Sequence, residues 1–449
     1  MSIHYIKKGL DIALDGLAEA RVETFTAAKT IALQPQDFPY IAWRLAVNEG
    51  DDVQIGSPVL VAKEDESLIL TSTVSGKVKA IVRGERRALL RVEIESDGQN
   101  SAVEHGALSD DQIHGIELEV LCAKLKALGV WPLIRQRPFE KVADFNKLPK
   151  AIFINAMDTA PLAAQQAVIL QNHQEFLQKG IDILKRFCKD IHLDSAVKDQ
   201  SFEKYQRVQH QKFDGPHPAG LIGTHIAKVS PLNRGDVVWY LTAEHAALIG
   251  EAISKGITPT QTIVAVAGSK ALRQQYFTIT RHSAVADFAE IQWEDTRIIS
   301  GNVLTGNSIG KEGFVGFYDS LISCIPEGGQ QHYISEDQHW TGPGFKSFST
   351  FRLFASKIFG NKKWNLNTSL NGGERAIILT ENYERFVPHD IEVGFLLKAI
   401  IAEDIDEMEK LGLLELAPED VALCTFACPS KVEVAEIVRQ GLNILEKEG

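Results

Sequence analysis

The sequence predicts a multidomain α/β protein: a β-rich N-terminal region, an alternating α/β domain, a second β-rich unit and a helical tail. Three observations lead there. The chain has 449 residues, too many for one compact core, and about three domains is the expectation at that length. Its hydrophobic fraction of 44% and charged fraction of 24% are ordinary for a folded protein. The apolar spacing also changes along the chain, from short glycine-punctuated runs, through strands alternating with helical periods, to a helical repeat at the end.

Residues 41–95 give the first unit. Val47 to Gly50, Asp52 to Gly56 and Pro58 to Ala62 form an apolar–turn–apolar series, and TSTVSGKVKAIVRG repeats it with Gly76 and Gly84 as turn residues. Two such half-units predict a small β sandwich. The run VNEGDDVQIGSPVL followed by STVSGKVKAIVRG resembles the biotinyl/lipoyl barrel-sandwich family, which presents a lysine at the hairpin tip between its halves. Here the tip reads KEDES, with Asp65 and Glu66 at the apex and Lys63 off it, so a structural barrel is expected in place of a carrier.

From 110 to 260 the periods lengthen. AIFINAMD is a buried-strand run from Ala151 to Ile154, followed by a turn at Asp158 to Pro161. QEFLQKGIDILKRF sets Phe176, Ile183, Leu184 and Phe187 on one helical face. DVVWYL and TIVAVAG are further strands around the helical AEHAALIGEAIS, and the alternation predicts a parallel, doubly wound domain. TIVAVAG, QYFTIT, TRIISGNVL and FVGFYDSLISCI then predict a compact β-rich unit between 260 and 330. A Gly/Phe-rich passage, TGPGFKSFSTFRLF, leads into a tail with helical periodicity from Asp390 onward. Pro418 followed by Glu419 and Asp420 reads as a helix start, because proline needs no N–H there and acids suit the positive end.

The net charge of −12 argues against nucleic acid and against direct adsorption onto anionic lipid. No run reaches the ~20 apolar residues that span a bilayer; IEVGFLLKAIIA is short and carries Lys398. The segment after Lys7 and Lys8 is broken by Asp11, Asp15 and Glu19 and makes no signal peptide. Five cysteines, an odd number, fit a reducing cytoplasm better than a disulfide framework.

Four stretches carry candidate chemistry. CTFACPSK ends like an iron–sulfur ligand run, but Cys424 and Cys428 alone cannot close a cluster or a zinc site, so buried packing is expected. GVWPLIRQRPFEKV, Gly129 to Val142, stands where a nucleotide loop would want glycines; Trp131, Pro132 and Pro138 are too bulky, and Arg135 and Arg137 are expected to pair with local acids. GNSIGKE, Gly306 to Glu312, is one residue short of a phosphate loop and has Glu312 where the magnesium hydroxyl would stand. FDGPHPAGLIGTHI is the most unusual: Gly215, Pro216, His217, Pro218, Gly220, Gly223 and His225 make a stiff, glycine-rich loop able to contact a ring-shaped ligand or a neighbouring subunit. No metal site is expected from His217 and His225, and no catalytic residue is assigned.

Several segments in fixed order are more specific than any one of these. IKKGLDIAL, SGKVKAIVRGERR, GVWPLIRQRPFEKV, FINAMDTAPLAAQ, GPHPAGLIGTHI, RIISGNVLTG, NGGERAIIL and VALCTFACPSK together resemble, from first residue to last, the A-subunit family of the sodium-translocating NADH:quinone reductases. The resemblance implies a six-subunit respiratory-chain complex of the bacterial inner membrane that oxidises NADH, reduces ubiquinone and exports sodium. It implies a peripheral subunit on the cytoplasmic side, not catalytic alone, without FMN, NAD, Fe–S centre or membrane span. FMN, riboflavin, FAD and Fe–S would lie in partner subunits, the membrane-embedded B subunit being the foremost contact.

Related redox subunits, the C subunit of the Rnf complex and the flavin-bearing subunit of respiratory complex I, have a glycine-rich flavin loop and a cluster-binding cysteine run. Here WPLIRQRPF and the Cys424–Cys428 pair stand instead. The implied architecture is a barrel-sandwich region at 1–105, a Rossmann-like domain at 106–257, a β-grasp (ubiquitin-like, SLBB-like) domain at 258–330, an irregular connection at 331–389 and a helical domain at 390–449. A quinone contact would fall on GPHPAGLIGTHI or on the passage from Phe345 to Phe354. The alternative is an assembly scaffold with no quinone contact.

Overall fold

The computed structural model describes residues 2–25, 28–328, 362–370, 373–377 and 382–448; the passage from Phe345 to Phe354 lies outside them. Its central sheet has seven strands in the order Ser2–Tyr5, Gln209–Asp214, Ile191–Ala196, Ala151–Asn155, Val238–Thr242, Arg135–Arg137 and Lys141–Val142. The first five are parallel, and the last two join by antiparallel pairing. Ala151–Asn155 is β-branched and aromatic, and its residues divide by parity between two layers. Ile152 and Ile154 pack with Leu177, Ile181 and Leu184, while Ala151 and Phe153 pack with Ile222 and Ile226 of the helix Ile222–Val229.

On the first of these faces the helices Leu177–Leu184 and Ala243–Lys255 touch backbone to backbone. A Cβ on Gly180 would lie 1.9 Å from the Ala246 carbonyl oxygen, and one on Gly250 would lie 2.2 Å from that of Phe176. The two glycines therefore set the helix separation that covers the sheet.

The β sandwich pairs a sheet of Thr30–Leu33, Leu89–Ser96, Gly76–Arg83 and Asp52–Val53 with one of Trp43–Leu45, Pro58–Ala62 and Ile69–Thr71. Ile31, Leu33, Val59, Leu60, Val92 and Ile94 fill its interior. The KEDES apex is tied down: Asp65 accepts hydrogen bonds from Lys126 Nζ at 2.6 Å and from the Ser67 amide at 3.0 Å. The third sheet runs Asn307–Ser308, Thr296–Ser300, Leu321–Pro326, Gln261–Ala267, Gln275–Thr280 and Glu19–Thr24.

The first two strands of the chain pair outside the sandwich sheets. Ser2–Tyr5 joins the edge of the central sheet beside Gln209–Asp214, and Glu19–Thr24 joins the third sheet beside Gln275–Thr280. An uncovered sheet edge offers a full row of ladder partners, and the N-terminal segment satisfies two such edges rather than staying with its sequence neighbours.

At the other end, Val393–Ile401, Ile405–Lys410, Ala422–Ala427 and Val434–Glu448 pack around Leu396, Leu397, Met408, Val421, Val438 and Leu442. The expected start at Pro418 is a 3-10 turn, Pro418–Val421, ahead of Ala422–Ala427. Among the described residues no helix is long and apolar enough to cross a membrane.

The two helix-contact glycines make a stability prediction. Gly180→Ala forces a methyl into a carbonyl and is expected to cost about 2 kcal/mol or more. Gly115→Ala, with nothing within 4 Å of its Cβ position, is expected to be neutral or slightly stabilising in the same thermal-unfolding measurement.

Candidate functional site

Parallel sheets with helices on both faces bind ligands outside the carboxyl ends of their strands, where the strand order reverses. Here that place lies beyond Asn155 and Thr242, the ends of two neighbouring parallel strands. The stretch singled out in the sequence follows Asp214, the end of the strand Gln209–Asp214 of the same sheet.

In the structure this loop is packed against the chain's own segments. Gly215 and Pro216 reach solvent, whereas His217, Pro218, Gly220, Gly223 and His225 are buried. Each glycine admits a close approach, as expected, but the approaching group is internal. A Cβ would meet the Ile6 carbonyl oxygen at 2.3 Å from Gly215, the Thr159 amide nitrogen at 2.6 Å from Gly220 and the Asp420 carboxylate at 2.1 Å from Gly223. The His217–Pro218 peptide is cis.

The His217 amide donates to Asp11 at 2.9 Å, and its carbonyl accepts from the Leu10 amide at 2.8 Å. Thr159 Oγ1 accepts from the Gly220 amide at 2.8 Å and stands 3.2 Å from His217 Nδ1. Burial pushes the His217 imidazole down to about 4. The ring is therefore neutral, and the direction of its hydrogen bond with the Thr159 hydroxyl is set by which ring nitrogen carries the proton.

His225 does not meet His217 in a shared ligand set. Its Nε2 stands 2.9 Å from the Ala219 carbonyl and its Nδ1 3.1 Å from Asp194, with the ring stacked 4.0 Å from Phe213.

The second feature is the strand Arg135–Arg137, which the sequence presents as a bulky loop. It pairs with Val238–Thr242 at the edge of the central sheet, and both arginines sit against Tyr240, at 4.8 and 5.6 Å from its ring centre. Arg135 is also 4.6 Å from the Tyr318 ring and pairs with Glu140, a local acid as expected, at 3.3 Å. Arg137 departs from that expectation: fully buried, it donates to Glu419 at 2.7 Å and to Asp420 at 2.9 Å, far along the chain. Asp420 also accepts from the Ala417 amide at 2.8 Å. Arg439 closes on Glu140 at 3.0 Å, and Lys141 pairs with Glu446.

The hairpin from Arg135 to Val142 is thus strapped to the C-terminal helices by charge. Burial alone would depress the Arg137 guanidinium, but Asp420 and Glu419 more than offset it and hold the cation. Glu419 behaves differently: burial first, then the neighbouring Glu140, push its carboxyl up to about 7 against the pull of Arg137.

The chain's own groups stand where a phosphate would approach this arrangement. Phosphate needs free backbone N–H groups or an unpaired cation. Gly220 fills the turn at Thr159, Asp420 sits on Gly223 at the first turn of Ile222–Val229, and the Arg137 fork is taken by two carboxylates. No group of three or more His, Cys, Asp or Glu able to hold a metal occurs among the described residues.

Cys424 and Cys428 are both buried and flank Tyr383, whose hydroxyl lies 3.0 Å from Cys428 Sγ. Burial pushes the Cys424 thiol well above its ordinary range. Sequence reasoning missed Asp11, Thr159, Tyr240, Glu419 and Asp420 as members of this site. Only Glu419 and Asp420 carried a signal, and it pointed to a helix start.

Two predictions follow from the strap. Arg137→Ala leaves the buried Asp420 carboxylate and the partly buried Glu419 without their cation and is expected to cost roughly 3–5 kcal/mol in urea unfolding, with Arg137→Lys recovering only part because one ammonium replaces a two-pronged fork. For Glu419 the folded state holds its proton more tightly than the unfolded chain. Its stabilisation is complete below the unfolded value of 4.5 and is lost as pH rises through about 7. Glu419→Gln, neutral throughout, is expected to gain on the parent in melting temperature between pH 5 and pH 8 by the equivalent of about 1–3 kcal/mol.

Family models match two parts of the chain: residues 4–97 match the NqrA N-terminal barrel-sandwich hybrid domain, and residues 116–258 match the NqrA second alpha/beta domain. Full-length relatives agree. The A subunit of the Na(+)-translocating NADH-quinone reductase of Rhodopirellula baltica is 35% identical over 100% of this chain and 99% of its own. The corresponding proteins of Pseudomonas aeruginosa and Yersinia pseudotuberculosis are 34% and 35% identical, each over 99% of both chains. With two family models in register and relatives matched end to end, the chain belongs to the family of the A subunits of the Na(+)-translocating NADH-quinone reductases.

Proposed function

We propose that this chain acts in the quinone-reduction step of its complex as a subunit with no flavin, nicotinamide or Fe–S centre of its own. It would sit at the cytoplasmic face of the bacterial inner membrane, held by the membrane subunits, the B subunit foremost. The observation that carries this reading is the Arg137 pairing. At the segment where redox relatives would place a phosphate-approaching glycine loop, a buried arginine is neutralised by Glu419 and Asp420 of the chain itself. A protein closed to a cofactor there serves a redox complex by shape and contact. A quinone as the acceptor comes from the relatives' names, NADH-quinone reductase, and ubiquinone in particular is what the family resemblance implies.

The finer architecture belongs to the same proposal. In order of appearance the parallel strands Ala151–Asn155, Ile191–Ala196, Gln209–Asp214 and Val238–Thr242 stand 3-2-1-4 across the sheet, which supports a Rossmann-like domain at 106–257. The five strands from Gln261–Ala267 to Leu321–Pro326 stand 4-3-5-1-2 with the short helix Val285–Phe288 between the second and third, which supports a β-grasp unit at 258–330. The four C-terminal helices support a helical domain at 390–449.

The scaffold alternative, assembly without quinone contact, draws on one observation: most of the loop from Gly215 to His225 is buried against Ile6, Asp11, Thr159 and Asp420.

The purified chain is expected to show no flavin or iron–sulfur absorption, and removing it from the complex is expected to abolish quinone reduction while NADH oxidation by artificial acceptors persists. Stoichiometric FMN on the isolated chain, or undiminished quinone reduction without it, contradicts the proposal. Labelling by a photoreactive ubiquinone separates it from the scaffold.

A further inference from the structure

The net charge of −12 hides a hairpin tip of the opposite sign. Between the strands Gly76–Arg83 and Leu89–Ser96 the chain turns through Gly84 to Ala88. Arg83, Arg86 and Arg87 are all exposed there, and among the described residues none of them makes an ion pair; Arg83 instead donates to the Arg87 carbonyl at 3.1 Å. Lys79, further down the first strand, is also exposed, and it too makes no ion pair among the described residues. Glu85 is the one carboxylate of the turn.

The contrast lies a few residues away, where Arg91 pairs with Glu93 at 2.7 Å and covers the Phe314 ring. Beside the arginines, Leu90 is 38% exposed and leans on Gly84. Below the tip, Val78, Val92 and Ile94 are buried in the sandwich core, so the turn is presented on a fixed stem.

Uncompensated guanidinium groups next to an exposed leucine, on a convex turn, match the head-group region of a bilayer. Arginine forks complement phosphodiesters two bonds at a time, and a leucine gains by leaving water. A fluid surface moulds itself to a convex tip, whereas a protein partner would need a preformed hollow. The acidity of the rest of the molecule does not prevent this, since charges more than about 8 Å away are largely screened at physiological salt. We propose that the tip formed by Arg83, Arg86, Arg87 and Leu90 rests on anionic phospholipid and orients the protein on the membrane. This rests on the reading above of the chain as a peripheral member of a membrane complex.

The test is co-sedimentation of the full chain with vesicles of phosphatidylcholine alone and of phosphatidylcholine mixed with phosphatidylglycerol. Binding is expected only to the mixed vesicles and is expected to fade with added salt. The combined Arg83→Gln, Arg86→Gln and Arg87→Gln variant is expected to bind at least tenfold more weakly, since each basic group near an anionic surface contributes about fivefold. Leu90→Ser is expected to weaken binding with the charge unchanged. All four side chains are exposed, so unaltered melting temperatures check that the variants fold. Equal binding to both lipids, or a triple variant that binds like the parent, overturns the proposal. So does a triple variant that falls off the detergent-solubilised complex, where no bilayer remains, because the partner is then an acidic protein surface. Quinone reduction still lost on deleting this chain, with vesicle binding absent, removes the lipid contact alone and leaves the functional reading standing.

Discussion

The buried pairing of Arg137 with Glu419 and Asp420 is the constraint on which the rest of the structure depends. A guanidinium without solvent must find carboxylates with good geometry, or the segment that bears it cannot be buried. Arg137 lies on the next-to-last strand of the central sheet, and its partners lie in the turn that opens the last pair of helices. Folding the sheet and docking the C-terminal helices are therefore one event as far as this charge is concerned. Around it, Arg135, Glu140 and Arg439 extend the network, with Tyr240 and Tyr318 supplying ring faces to Arg135. The stability of each member depends on its neighbours, which is why the Glu419 carboxyl is pushed up while Arg137 remains charged.

The same pairing accounts for what the sheet mouth no longer offers. In an open α/β sheet the helix N-termini and glycine turns beyond the strands receive a ligand's phosphate. Here the glycines remain, but Ile6, Thr159 and Asp420 occupy the approaches they create. The N-terminal segment adds to the closure, since the Gly9 amide bonds to the Arg385 carbonyl and the Leu10 amide to that of His217. Both ends of the chain thus converge on one place and fill it with protein groups.

Much of this is legible in the sequence, and the pattern of what is not is physical. Strands such as Ala151–Asn155 announce themselves because burial on both faces demands a continuous β-branched and aromatic run. The shortage of iron–sulfur ligands is visible by counting thiols, and both cysteines of the CTFACPSK run are buried. The unusual glycines at 215, 220 and 223 stand out as points of close approach, but a single sequence does not say what approaches. The fate of Ser2–Tyr5 and Glu19–Thr24 is hidden for the same reason: an edge strand's partner is chosen by which edge stands open, and that is a property of the assembled sheets. Arg137 reads as pairing locally because Glu140 lies three residues on, and that acid is in fact taken by Arg135 and Arg439.

The most direct test of the central claim is a double-mutant cycle between Arg137 and Asp420, using Arg137→Met and Asp420→Asn singly and together. Unfolding free energies measured in urea give the coupling between the two sites. If the pairing unites the sheet with the C-terminal helices, the coupling is about 2 kcal/mol or more, and the double variant is more stable than either single change implies. Strictly additive losses, with coupling under about 0.5 kcal/mol, would mean that the two groups merely lie side by side and that something else joins the parts.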